Sequence, residues 1–194
     1  MSVAYAQETI DEIFQLYDRF GSADYIGEPV SQLEHMSQSA EFAMREGFDD
    51  EVVLAAFFHD IGHICTMHQA GNTMNGFGII SHEKIGANFL RAKGFPEKVA
   101  RLVENHVQAK RYLTYKYADY YHSLSEASKR TLEFQGAKMT EAEATNFEND
   151  PLFEASIRMR KWDELAKETN NSIIDLSVLK SKAFSVLSAV QPAL

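Results

Sequence analysis

The sequence predicts an all-α fold. Apolar residues recur at helical spacing along most of the chain, and runs that alternate apolar with polar residues are nearly absent. Cap residues and glycines punctuate these periodic stretches where helices would begin and end.

Residues 4–20 are the first expected helix, with Ile10, Ile13, Phe14, Tyr17 and Phe20 at helical spacing and Gly21 at its end. Asp24 to Pro29 read as a loop. Ser31 with Glu34 three residues on forms a capping box for a second helix, which carries His35 and stops at Gly47. Asp49 and Asp50 open a third helix with an apolar body from Val52 to Phe58, expected to end at Gly62. Residues 64–80 read as a long loop, of a length that in compact domains usually serves function. Ser81 is expected to cap a fourth helix that contains His82 and closes at Gly94. Pro96 is placed in the first turn of a fifth helix, which carries His106 and Lys110. An aromatic stretch follows over 112–122, with packing its first reading and a lid the sharper one. Ser125 starts a helix to about Gln135, and Thr140 with Glu143 caps a short acidic one. Pro151 is expected to open the helix that holds Arg160, Trp162 and Asp163. A last amphipathic helix, about 175–189, is expected to brace the bundle.

A length of 194 residues suits one domain spanning 1–194, with its core at about 20–165. The net charge is −9 with no Lys/Arg run, which argues against nucleic-acid and acidic-membrane partners. Cationic side chains inside a pocket would still admit a small anionic substrate. The single cysteine, Cys65, excludes an internal disulfide framework and a Cys-rich zinc site. Without a signal peptide or an 18-residue apolar run, the expectation is a soluble cytoplasmic chain.

His59-Asp60 closes the apolar run of the third helix, a place where polar side chains are costly unless they bind something. His35, His82, His106 and Asp163 lie in or at the start of other expected helices. Any one of these histidines is compatible with an ordinary core partner. Together, four imidazoles and two carboxylates match the ligand set of two first-row transition ions. Two ions that share Asp60 would sit about 3.5–4 Å apart.

The order His35, His59-Asp60, Asp163 resembles the HD-domain superfamily, and His82 with His106 resembles its dinuclear members. Two branches then stand open, metal phosphohydrolases or phosphodiesterases and mixed-valent diiron oxygenases related to myo-inositol oxygenase. Several blocks are similar to the PhnZ-like, organophosphonate-cleaving oxygenases. They include Tyr25-Ile26-Gly27-Glu28, Gln32-Leu33-Glu34-His35, His59-Asp60-Ile61-Gly62-His63, His82-Glu83-Lys84-Ile85-Gly86-Ala87, the stretch from His106 to Leu113, that from Ser125 to Gly136, and Arg160-Lys161-Trp162-Asp163. Cyclic-dinucleotide phosphodiesterases usually carry Lys where this chain has His63.

The resemblance implies an HD-domain helical bundle with two iron ions, Fe(II)/Fe(III). It implies that His35, His59 and Asp163 hold one ion, that His82 and His106 hold the other, and that Asp60 bridges them. It makes Tyr25 and Glu28 a plug over the substrate position, and His63, Lys110, Ser128, Thr131 and Arg160 substrate contacts. The implied partners are O2 and a small hydroxyphosphonate made by a separate hydroxylase. The implied reaction is oxidative C–P cleavage of a 1-hydroxy-2-(trimethylammonio or amino)ethylphosphonate to phosphate and glycine betaine or glycine. The loop from Cys65 to Ile80 has no Asp or Glu but offers Met67, His68, Asn72, Met74, Asn75 and Phe77. If it lines the amine end, the trimethylammonio substrate is favoured, since that cation prefers aromatic faces to hydrogen-bond acceptors.

Overall fold

A computed structural model describes residues 2–25, 27–66, 74, 76, 78–169, 171 and 173–190. The described elements are helices α1 (Val3–Phe20), α2 (Gln32–Arg45), α3 (Asp50–Phe58), α4 (Ile61–Ile64), α5 (His82–Ala92), α6 (Glu97–Lys116), α7 (Ala118–Ser123), α8 (Glu126–Phe134), α9 (Glu141–Glu148), α10 (Phe153–Leu165) and α11 (Leu176–Ala189). An isolated antiparallel bridge pairs Asp24 with Ser31. None of these helices is long and apolar enough to cross a membrane.

α3 is the centre of the bundle. Every residue from Val52 to Phe58 is buried, as its near-continuous apolar sequence demands. α2, α6, α10 and α11 all pack on it, and α5 pairs with α6. α1 lays Ile10, Ile13, Phe14 and Tyr17 into the same core, where Phe14 stacks on Phe57 at 5.8 Å between ring centres. α11 contacts α1 and α3 through Leu179, Ala183, Val186 and Leu187. Capping boxes form at Ser31–Glu34 and Thr140–Glu143.

Several local expectations are corrected. The third helix does not run on to Gly62. It breaks at His59-Asp60, where Asp60 takes φ −105° and ψ 13°, a sparsely populated region often found at active sites. Gly62 is instead a close-approach residue inside α4. A Cβ there would stand 1.9 Å from the His82 carbonyl oxygen. Ser81 precedes α5 but caps nothing with its side chain, and it sits at φ +60°, an uncommon left-handed conformation just before His82. Pro96 occupies the cap position of α6 and not its first turn. α6 runs on to Lys116, and a further short helix, α7, takes up much of the aromatic stretch. α10 begins at Phe153, two residues beyond Pro151.

Candidate metal centre and its cavity

The break after α3 lets consecutive residues face one cluster. Asp60 turns its Oδ2 toward His59 and His35, with Nε2 atoms at 3.5 and 3.8 Å. Its Oδ1 faces His82 and His106 at 3.2 and 3.5 Å. Within each pair the Nε2 atoms nearly meet, at 3.0 Å for His35 and His59 and 3.1 Å for His82 and His106. Asp163 completes the first pair, with Oδ1 3.4 Å from His35 and 4.0 Å from His59. All six side chains are buried.

The other ring nitrogens settle the tautomers. Nδ1 of His59 lies 2.8 Å from the Ala56 carbonyl, and that of His106 2.6 Å from the Val103 carbonyl. Nδ1 of His35 meets Ala166 O at 2.9 Å, and that of His82 meets Ile79 O at 3.3 Å. A carbonyl only accepts, so each Nδ1 donates and each neutral ring presents a bare Nε2 lone pair. Two lone pairs facing each other at 3.0 Å repel unless a proton or a metal ion lies between them. The donor set therefore fits one metal ion per pair, with the two oxygens of Asp60 shared out between them.

His63 is the opposite tautomer. Its Nδ1 accepts the Ile79 N–H at 3.1 Å, so the neutral ring carries its proton on Nε2 and offers a donor. Its ring stacks on His82 at 4.1 Å. By distance alone His63 groups with Asp60 and His82 as a ligand set, while His35, His59 and Asp163 form the other. The hydrogen bonding argues against ligation by His63, and His106, with its bare Nε2, is the better partner for His82. Burial, and then the neighbouring His82, push His63 down to about 3, so it stays neutral.

Burial opposes ionisation of both carboxylates, but His59 beside Asp60 and Arg160 beside Asp163 hold both well below the usual range. Burial likewise disfavours a charged His59, yet Asp60 and Asp163 outweigh it and hold the ring up to about 9. Both carboxylates therefore stay ionised beside the imidazoles.

A cavity of about 190 Å³ opens beside the cluster. Asp60, His82, His106 and Asp163 reach it, with Tyr25, Glu28, His63, Lys110, Ser128, Thr131 and Arg160 around them. His35 and His59 lie behind that wall. Lys110 and Arg160 are both buried. Lys110 donates to Thr131 Oγ1 at 3.0 Å. Burial and then the Arg160 charge push Lys110 down to about 7, against the pull of Asp163, Asp60 and Glu83, and an anion in the cavity would reverse that. Arg160 binds Asp163 through Nη1 and Tyr120 and Glu164 through Nε, while its buried Nη2 has no partner among the described residues.

The Tyr25 ring stacks on His35 at 3.9 Å. Its desolvated hydroxyl, facing Asp60 and Asp163, is held well above the ordinary tyrosine value. The turn behind it is closed by Glu28 N–H to Tyr25 O at 2.9 Å. Of the loop read as the amine end, Met74, Gly76, Gly78 and Ile79 line the cavity, while Met67, His68, Asn72, Asn75 and Phe77 lie outside the described residues. Asp24 and Glu28 line the same cavity, so its wall is not free of acids. Of the aromatic stretch, Tyr112 is buried and Tyr120 reaches Arg160, while Tyr117 and Tyr121 are exposed. The reading by sequence missed Asp24, Gln32 and Gln135 in the wall, and it missed the four carbonyls that orient the imidazoles, which no residue identity reveals.

Residues 32–147 match the HD domain family model. The chain is 41% identical over 181 residues to an uncharacterized protein of Acanthamoeba polyphaga mimivirus, covering 93% of this chain and 83% of that one. It is 36% identical over 164 residues to the [1-hydroxy-2-(trimethylamino)ethyl]phosphonate dioxygenase (glycine-betaine-forming) of Leisingera caerulea, covering 83% and 81%. It is also 36% identical over 182 residues to the hydroxymethylphosphonate dioxygenase of Gimesia maris, covering 93% and 89%.

Proposed function

Because this chain belongs to the HD-domain family, in the group that includes phosphonate dioxygenases, we propose that it is a diiron oxygenase that cleaves the C–P bond of a 1-hydroxyphosphonate. The observation that carries this is the pairing of two bare-imidazole clusters on one carboxylate, Asp60, beside a cavity with two buried cations. His35, His59 and Asp163 would hold one ion, His82 and His106 the other, with Asp60 between them. Iron there would supply O2 activation and the oxidation of the substrate's C1–H bond.

The protein's own groups bind and orient the substrate. Lys110 and the Nη2 of Arg160, which has no partner among the described residues, suit the oxygens of a tetrahedral phosphonate with the Ser128 and Thr131 hydroxyls. The Nε2–H of His63 adds a neutral donor. Tyr25, lying over His35, covers the metal pair, and Glu28 holds the turn on which it moves. This arrangement limits access to the metals until substrate displaces the ring. The chain from 1 to 194 acts as one HD domain, with α11 as its brace.

Among substrates, the 2-trimethylammonio compound is favoured, giving phosphate and glycine betaine. Glu28 is already ion-paired with Lys167 at 2.5 Å, so it is poorly placed to receive the N–H groups of a primary ammonium. A trimethylammonium has no N–H to satisfy and needs only the field of the acidic wall and the Tyr25 face. The 1-hydroxyl implies a preceding hydroxylation by another enzyme. The test is O2 uptake by iron-loaded protein given the trimethylammonio and amino substrates in parallel. One O2 consumed per phosphate released is expected. Phosphate release that persists without O2 would overturn the oxygenase in favour of a hydrolase, and a clear preference for the primary amine would overturn the substrate choice.

A further inference from the structure

Lys167 lies outside the region matched by the family model and outside every block that carries the resemblance. It follows α10 in a short segment that is tied down on both sides. Ala166 O holds the Nδ1–H of His35 at 2.9 Å. Glu168 exchanges two hydrogen bonds with Gln38, at 2.9 and 3.1 Å. Between these anchors, Lys167 Nζ reaches across to Glu28 Oε1 at 2.5 Å. The side chains are only 19% and 11% exposed, so solvent screens this pair poorly. The ammonium is thus presented to the cavity's own carboxylate by a segment hydrogen-bonded on both sides.

The rest of the cavity sets what this means. Its inner end is cationic, with Lys110 and Arg160. A zwitterionic phosphonate that puts its anion there presents its cation to the remaining acids of the wall, Glu28 and Asp24. Asp24 is exposed and has no hydrogen-bond or ion-pair partner among the described residues, so it contributes a screened field. Glu28 is the more buried of the two and would be the stronger acceptor, but Lys167 holds its charge.

We propose that Lys167 is a specificity-determining residue, which occupies Glu28 and so denies it to a substrate's primary ammonium while leaving a trimethylammonium unaffected. This rests on the phosphonate reading of the cavity. A primary ammonium gains most from a charge-assisted hydrogen bond to a free carboxylate, and a quaternary one cannot make that bond. Removing Lys167 returns the acceptor.

The experiment compares wild type with Lys167→Met, which keeps the stem and drops the charge, and with Lys167→Arg, which keeps the charge. Each is iron-loaded, and metal content and thermal midpoint are recorded. Dissociation constants are measured anaerobically by calorimetry for the 2-amino, 2-trimethylammonio and hydroxymethyl phosphonates, and turnover is measured separately. In Lys167→Met the amino compound should gain about tenfold or more in binding relative to the trimethylammonio one, the worth of one charge-assisted hydrogen bond. The same change should appear in the KM ratio, with Lys167→Arg staying close to wild type. Should Lys167→Met fail to fold, Lys167→Gln provides the same comparison. An unchanged ratio, or one that moves toward the trimethylammonio compound, overturns the proposal. If wild type binds none of the three, the phosphonate reading itself fails. If wild type binds them and the ratio stays fixed, only the role of Lys167 does.

Discussion

Gly62→Ala tests how the two halves of the metal centre are held together. The new Cβ would lie 1.9 Å from the His82 carbonyl oxygen, 2.7 Å from its carbon and 3.0 Å from Gly86 N. Close carbon–oxygen contacts stop at about 3.3 Å, so α4 and α5 must part by roughly 1.4 Å. All three obstacles are backbone at the start of α5, and no rotamer relieves them. The cost falls at the upper end of overpacking, about 3 kcal/mol. For a chain of this size that lowers Tm by about 6–12 °C. The same displacement carries His82 away from Asp60 and His106, now at 3.2 and 3.1 Å. Iron-loaded Gly62→Ala should therefore retain about one metal per chain where wild type holds about two, measured by elemental analysis beside a thermal melt. Gly47→Ala is the control. Its φ is +77° but nothing lies within 4 Å, so it should cost about 1–2 kcal/mol of backbone strain and leave the metals alone. Two metals per chain and an unshifted Tm in Gly62→Ala would refute this reasoning.

Asp60→Ala removes the oxygen that each imidazole pair faces and should drop metal content to below one per chain, again by elemental analysis. Full retention at both positions would rule out a bridging carboxylate. His63→Ala should keep both metals and raise KM for a hydroxyphosphonate about tenfold, the loss of one donor to an anion. A metal lost on that substitution would make His63 a ligand. Ser31→Ala breaks the capping box at the start of α2, where Ser31 Oγ accepts from Glu34 N at 3.2 Å, and should cost about 1 kcal/mol, or about 2–4 °C in Tm. A calorimetric scan that shows no shift would mean that the cap is redundant.

Most of the bundle was legible because its signals are local. Apolar spacing marked α1 and α11, and Ser31–Glu34 and Thr140–Glu143 announced their helix starts through side-chain chemistry that needs no tertiary partner. The misreadings fall where tertiary contact decides. Gly62 looked like a helix stop, but its lack of a Cβ serves the approach of α5. Ser81 looked like a cap, but the turn into His82 forces it left-handed. In the candidate site the residue types were visible, since buried imidazoles and carboxylates in one order leave few uses. The tautomers were not. They depend on carbonyls of Ala56, Ile79, Val103 and Ala166, and every residue has a carbonyl. Lys167 was equally invisible, because a lysine beyond the last motif meets Glu28 only after the chain has folded back 139 positions.

Those carbonyls also divide the imidazoles into two grades. His59 and His106 are aimed by carbonyls three residues earlier in their own chain segment, so their direction is written in as soon as α3 and α6 form. His35 waits for Ala166 to arrive from the far end of the chain, and His82 is aimed by Ile79, also three residues earlier but outside any helix. Each metal position thus pairs one self-sufficient imidazole with one conditional imidazole. An ion bound at either position would hold the conditional imidazole against the self-sufficient one. A metal ion there would act as a cross-link between distant parts of the polypeptide and stabilise the folded state by mass action. Metal-bound protein should resist unfolding in the segment after α10, 166–168, well beyond what its own few contacts would provide.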